Sequence, residues 1–305
     1  MPAATLSESL IPADLRARLK DLRLVARHPS TAHGFGLQSS RNRGTGMEFA
    51  QYRAYEPGDE PRLIDWKLLA RSDRYYVREA ERDSPLTVWL LIDASASMAQ
   101  TDRARPGWSR LSAAKVFAAC VIELALRQGD RFGIAMVDGD GVRLIPAGSG
   151  ARHRDRCVLE LHRMRAHGAW PGEARLAPLW QHVGADAMLL MLSDGFDSAC
   201  IELAERLAAA RREVLSVQIL TSEERDFPFR GGFVFHDPET GAELRCDGEA
   251  VRAQFLARFD AARAELAARM ATSGIRHLAY VLDEPLELPL QRLFGRTSRT
   301  GAPSR

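Results

Sequence analysis

Lysine is scarce in this 305-residue chain. Only Lys20, Lys67 and Lys115 occur, and 42 basic residues stand against 40 acidic ones, for a net charge of +2. That balance gives no general electrostatic case for nucleic acid or an anionic membrane as partner, since both need accumulated positive charge. Cysteine is scarce too. Cys120, Cys157, Cys200 and Cys246 lie far apart, which excludes the paired spacings of zinc and redox motifs. Cys120 and Cys200 sit in helical patterns among apolar neighbours and read as core fillers. No run approaches the ~20 apolar residues of a membrane span. The start, Met1 to Pro12, lacks the charged region and long apolar stretch of a secretory signal. The expectation is a cytoplasmic chain that does not insert into a membrane. Gly-x-Ser-x-Gly and Walker A motifs are also missing, so hydrolase and nucleoside-triphosphatase readings lack their usual signatures.

What is present, from Leu86 onward, is an alternation of apolar strands and amphipathic helices. Strands are expected at 87–92, 130–137, 142–146, 187–192, 214–220 and 275–282. Helices are expected at 110–128, 151–166, 175–183, 200–213, 249–272 and 286–294. This order implies an α/β fold: a mostly parallel sheet with helices on both faces and one antiparallel hairpin strand at 142–146. A hairpin turning at Asp237–Gly241 interrupts the alternation. Before Leu86, a helix from Leu15 to Ala26 is expected behind Asp14. An irregular glycine-bearing segment over 28–60 follows, then a helical turn capped by Asp65 and a strand at Tyr75–Glu79. The organisation read from this is 1–85 as an N-terminal helix and irregular segment packed on the body, and 86–220 as the α/β core. Residues 221–295 complete that core with the hairpin, a long helix and a last strand, and 296–305 form a disordered tail.

The chemistry concentrates at Thr87-Val-Trp-Leu-Leu-Ile-Asp93-Ala-Ser95-Ala-Ser97-Met98. The near-continuous apolar run reads as a buried parallel strand. Its polar residues then fall at the strand's carboxyl end, where open α/β sheets place ligand sites. Asp93, Ser95 and Ser97 supply one carboxylate and two hydroxyls, hard oxygen donors that suit Mg²⁺. A helix starting near Ser95 and Ser97 would also aim backbone N–H groups there. The same residues also suit a plain helix-capping turn, and spacing alone does not choose. Ser193-Asp194-Gly195 ends another apolar strand and adds a second carboxylate to the same rim.

Asp-x-Ser-x-Ser after one strand and Asp after a later one, in this order of elements, resembles the von Willebrand factor A domain. The resemblance implies a von Willebrand A-like (Rossmann-type) sheet with a metal-ion-dependent adhesion site. Asp93, Ser95, Ser97 and Asp194 would be its metal residues, with Mg²⁺, or Mn²⁺ or Ca²⁺, as the ion. That family also draws a threonine from an intervening loop. Here the position falls at Ala174, within His167–Leu176, so the site is degenerate; the neighbouring Glu173 could supply oxygen instead, at a spacing that is not the family's, and is also a candidate partner-binding residue.

Upstream stands Gly46-x-Glu48-Phe49-x-x-x-Arg53-x-Tyr55-x-x-Gly58-Asp59-x-x-Arg62-x-Ile64-Asp65-Trp66-x-x-x-Ala70-Arg71. It resembles the signature block of the DUF58 family, which places it before a von Willebrand A-like domain. Phe235-x-Asp237-Pro-Glu239-Thr-Gly241 is similar to that family's C-terminal part. The resemblance implies a MoxR-type AAA+ ATPase as partner and a protein client. The block itself has two readings. Arg53, Asp59, Arg62, Asp65 and Arg71 form either a partner surface or a buried ion-pair network that folds an irregular segment, with Tyr55 and Trp66 as packing anchors.

The expected function is a non-enzymatic interaction module that works as adaptor or co-factor of such an ATPase in assembly or maturation. The alternatives are a Mg²⁺-assisted hydrolase using Asp93 or Asp194, which lacks a positioned base, and a metal-free scaffold. His153, His162 and His167, with the arginines of 152–165, read as a solvated helix face.

Overall fold

The computed structural model describes residues 10–26, 49–56, 64–80 and 85–295. It divides into two units, residues 30–85 and residues 1–29 with 86–305. The expected tail 296–305 and most of the irregular segment over 28–60 lie outside the described residues.

The chain enters through helix α1 (Ala13–Arg18), a 3-10 turn at Leu19–Asp21, and then extended backbone. The expected helix to Ala26 does not form. Leu24 instead exchanges two hydrogen bonds with the side-chain amide of Gln128: its N–H donates to Oε1 (2.7 Å) and its carbonyl accepts from Nε2 (3.0 Å). Leu15, Leu19, Leu22 and Leu24 are all buried. The leucines do mark the apolar side, but the last two alternate with period two, as an extended segment requires.

In the smaller unit, β1 (Phe49–Ala54) pairs antiparallel with β2 (Tyr76–Ala80), and α2 (Trp66–Ser72) lies between them in sequence. Asp65 caps α2, accepting the N–H groups of Lys67 and Leu68, as expected. The Tyr55 and Tyr75 rings pack at 6.1 Å. Trp66 is 59% exposed and is no packing anchor, a correction to the expectation.

In the larger unit a six-stranded sheet has the order β10-β7-β6-β3-β4-β5. Its strands are β3 (Thr87–Asp93), β4 (Arg131–Asp138), β5 (Gly141–Gly148), β6 (Met188–Ser193), β7 (Glu213–Leu220) and β10 (Arg276–Val281). All neighbours are parallel except β5, which returns antiparallel to β4. β3 shows why the sheet is two-sided. Val88, Leu90 and Ile92 enter one core with Phe117, Val121 and Leu124 of α3 (Arg110–Gln128). Trp89 and Leu91 enter the other, with Leu179 of α5 (Ala177–His182) and Leu203 and Leu207 of α6 (Ser198–Ala209). Each fully buried aliphatic side chain contributes roughly 1.5–3 kcal/mol. Cys120 and Cys200 are buried in these cores as expected.

Helix α4 (Ala151–Arg163) precedes α5, and the short α7 (Ser222–Asp226) follows β7. The hairpin of β8 (Gly232–His236) and β9 (Glu243–Asp247) leads into α8 (Gly248–Thr272), and α9 (Glu287–Phe294) closes the fold. His153 on α4 does not belong to a solvated face: its Nε2 lies 2.8 Å from the Phe132 carbonyl and its ring packs on Phe132.

Candidate metal centre

β3 and β6 run side by side in parallel, with Ile92 opposite Leu192, so the polar residues following each meet at one rim. Asp93 is 2% exposed. Its Oδ1 accepts the Ser95 N–H at 2.9 Å and its Oδ2 accepts the Ser193 hydroxyl at 2.7 Å. Burial, and then the charge of Asp194, push the Asp93 carboxyl up to about 6, while hydrogen bonds from Ser95 and Ser193 partly offset this. The Ser95 and Ser97 hydroxyl oxygens lie 3.0 Å apart.

The helix expected at Ser95 and Ser97 is only a 3-10 turn, Ala96–Ala99. The long helix α3 starts at Arg110 behind its own cap, Ser109. The intervening loop is tied to α7: Asp102 accepts the Ser222 N–H (2.5 Å) and hydroxyl (2.9 Å), and the Arg103 N–H donates to Glu223 (2.8 Å).

Asp194, 3% exposed, forms a 2.9 Å ion pair with Arg110. The same guanidinium donates to the Ser97 carbonyl (3.1 Å) and to Glu224, and lies 5.4 Å from the centre of the Phe196 ring. The Gln218 amide donates to the Asp194 carbonyl at 3.0 Å. Arg110, Glu224 and Gln218 carry no signal in the sequence motifs, and Ser193 enters there only as the neighbour of Asp194. One signal was available: an arginine in the first turn of a helix opposes the helix dipole, so it needs acidic partners.

Four of the five expected residues, Asp93, Ser95, Ser97 and Asp194, share the rim, and Glu173 does not. Glu173 lies in a 3-10 turn, Glu173–Leu176, exposed and ion-paired with Arg206 at 2.5 Å. The intervening loop meets the rim earlier, through backbone: the His167 N–H donates to the Ala94 carbonyl (2.8 Å), and the Ala96 N–H to the Gly168 carbonyl (2.7 Å). Of the signature block, Asp65 is committed to capping α2, Arg71 is exposed on α2, Arg53 lies in β1, and Asp59 and Arg62 fall outside the described residues.

The chemistry of the donor set, one carboxylate and two hydroxyls, is compatible with a small divalent cation, and the hydroxyl separation is also that of a hydrogen bond. Oxygens on adjacent octahedral positions around Mg²⁺, at about 2.0–2.1 Å from the metal, are about 3 Å apart, and the Ser95 and Ser97 hydroxyls have that separation. Asp93 would supply the charge. Asp194, held by Arg110, would act from the outer sphere, leaving positions open to water or a partner's carboxylate.

A two-sided, mostly parallel sheet with acids and hydroxyls on its carboxyl rim defines an α/β protein. More particularly, the chain belongs to the family described as protein of unknown function DUF58, whose sequence model matches residues 51–265. An uncharacterized protein of Mycobacterium tuberculosis is 27% identical over 99% of this chain and 95% of its own length, as is one of Mycobacterium bovis. Among solved structures, the conserved hypothetical protein BatB from Bacteroides thetaiotaomicron is 13% identical, covering 68% of this chain and 97% of its own, with a TM-score of 0.42. The SpRpn10 VWA domain is 11% identical over 68% of this chain and 94% of its own, with a TM-score of 0.38. Among the described residues no helix is long and apolar enough to cross a membrane.

Proposed function

We propose that this chain is a non-enzymatic protein-interaction module of von Willebrand A type. Asp93, Ser95 and Ser97 would hold a divalent ion, Mg²⁺ in the first instance, and a partner carboxylate would complete its coordination. In this reading the module serves a MoxR-type AAA+ ATPase as adaptor and presents a protein client to it. The carrying observation is the 3.0 Å pair of hydroxyls beside a buried carboxylate at the sheet's carboxyl rim.

A second observation supports a protein partner. Phe196, 52% exposed, stands two residues from Asp194 and begins an aromatic run through Phe259 and Phe255 to Phe227 and Phe229. Phe196 is the exposed end of this run and Phe227 its buried end, so the apolar side chain offered to a partner beside the rim is Phe196. Against hydrolysis, Asp194 is committed to its ion pair with Arg110.

The test is co-purification of the full chain with the ATPase, with and without EDTA, beside calorimetry with Mg²⁺ and Mn²⁺. The reading requires EDTA-sensitive capture that Asp93→Ala abolishes. No heat with either ion would leave the metal-free scaffold. Capture indifferent to both EDTA and Asp93→Ala would overturn the carboxylate-capture mechanism.

A further inference from the structure

Beside the Asp93 rim, the end of β4 carries a second cluster. Asp138, Asp140 and His167 each offer a ligand atom, and these atoms lie within 4.8 Å of one another. They come from two separate segments, the end of β4 with its following turn and the loop after α4. Two backbone contacts fix those segments together. The Gly139 N–H donates to the His167 carbonyl at 2.9 Å. Gly139 and Gly168 also approach so closely that a Cβ on Gly168 would stand 2.7 Å from the Gly139 Cα. The His167 backbone is thus held at both its N–H and its carbonyl, and its ring lies at the turn, Nδ1 3.9 Å from the Asp140 Oδ2.

We propose that Asp138, Asp140 and His167 form a second divalent-metal site, separate from Asp93, that takes a borderline transition ion such as Zn²⁺ or Mn²⁺. Imidazole joined to carboxylates selects these ions over Ca²⁺ and Mg²⁺. Metal–ligand bonds of about 2.0–2.2 Å allow donors about 3–4 Å apart. The observed spread therefore closes by small rotations of Asp140 and His167, both exposed. Asp138 is buried and fixed: its Oδ1 accepts the Asp140 N–H at 3.0 Å. Its Oδ2 accepts from Arg143 at 3.1 Å, and that guanidinium, 55% exposed, would have to give way to solvent for the ion to bind there. Arg175, which donates to the Gly139 carbonyl at 2.8 Å, is the other cation at this turn and stays in place. Three protein ligands leave open positions for water or an outside donor.

The experiment uses the full chain stripped of metal, titrated calorimetrically with ZnCl₂ and MnCl₂ and then loaded with Co²⁺. Wild type should bind one equivalent of Zn²⁺. His167→Ala and Asp140→Ala should each weaken that binding by at least about tenfold, and His167→Ala should lose the visible Co²⁺ band. Asp93→Ala should leave both readouts intact, which separates this site from the one at the Asp93 rim. No Zn²⁺ binding by wild type would overturn the proposal. So would binding that survives both His167→Ala and Asp140→Ala, or that is lost instead on His236→Ala at the exposed His236–Glu243 pair.

Discussion

Arg110 and Asp194 form an ion pair at 2.9 Å with both side chains about 95% buried, between residues 84 positions apart in sequence. Removing one partner of such a pair strands the other charge, which costs about 3–5 kcal/mol. Arg110→Met is therefore expected to lower stability by that order, since it strands the buried Asp194. Urea denaturation of wild type, Arg110→Met and the double variant Arg110→Met/Asp194→Leu checks this. The double variant should recover part of the loss, and additive losses would refute a direct pair.

Asp93 gives a pH dependence of definite sign. Its folded carboxyl titrates at about 6, against 3.8 for the ordinary group. The folded state therefore holds the proton more tightly, and the metal-free protein loses stability as pH rises between those values. Asp93→Asn removes the penalty. It is expected to stabilise metal-free protein by roughly 3 kcal/mol above pH 6 and to make little difference near pH 4. Thermal melts across this range test it. Added Mg²⁺ at pH 7.5 should then raise the wild-type melting temperature and leave that of Asp93→Asn unmoved.

Phe196 and Phe227 belong to one aromatic run but differ in burial, 52% against 4% exposed. Phe196→Ala should cost only about 0.5–1 kcal/mol, through its contact with Arg110, and should weaken partner capture. Phe227→Ala should cost about 3–5 kcal/mol, as a buried aromatic does. Denaturation paired with co-purification separates the two roles. A Phe196→Ala protein that captures its partner normally would remove Phe196 from the docking face.

Gly168 sits at φ +65° against Gly139, where a Cβ meets backbone that cannot yield cheaply. Gly168→Ala is expected to cost about 1–3 kcal/mol. It should also weaken ion binding at the Asp93 rim, because the Gly168 carbonyl holds the Ala96 N–H. Melting temperature and Mg²⁺ calorimetry on the same variant test both parts.

The sheet was legible because a strand buried on both faces reads as an apolar run, and runs such as 87–92 and 187–192 have few other readings. Asp93 and Asp194 were legible for the same reason, as polar residues closing such runs. The α1 boundary was not, since a side chain 104 residues away, Gln128, holds Leu24 extended. Nor was Glu173, whose pairing with Arg206 depends on how α6 lies beside its turn. Arg110 stayed hidden because its three acceptors, at 97, 194 and 224, come from different elements. Periodicity reports which side a residue faces, and says nothing about which distant residue it finds there.

Glu224 closes the capping box of α7 with Thr221 and also accepts from Arg110. One carboxylate thus answers to two neighbours, one through each oxygen. The consequence is one of inheritance. Among relatives of this chain, the residues aligned with Arg110, Asp194, Thr221 and Glu224 should be replaced together or not at all. A lineage that abandons the arginine should abandon the acid after β6 with it.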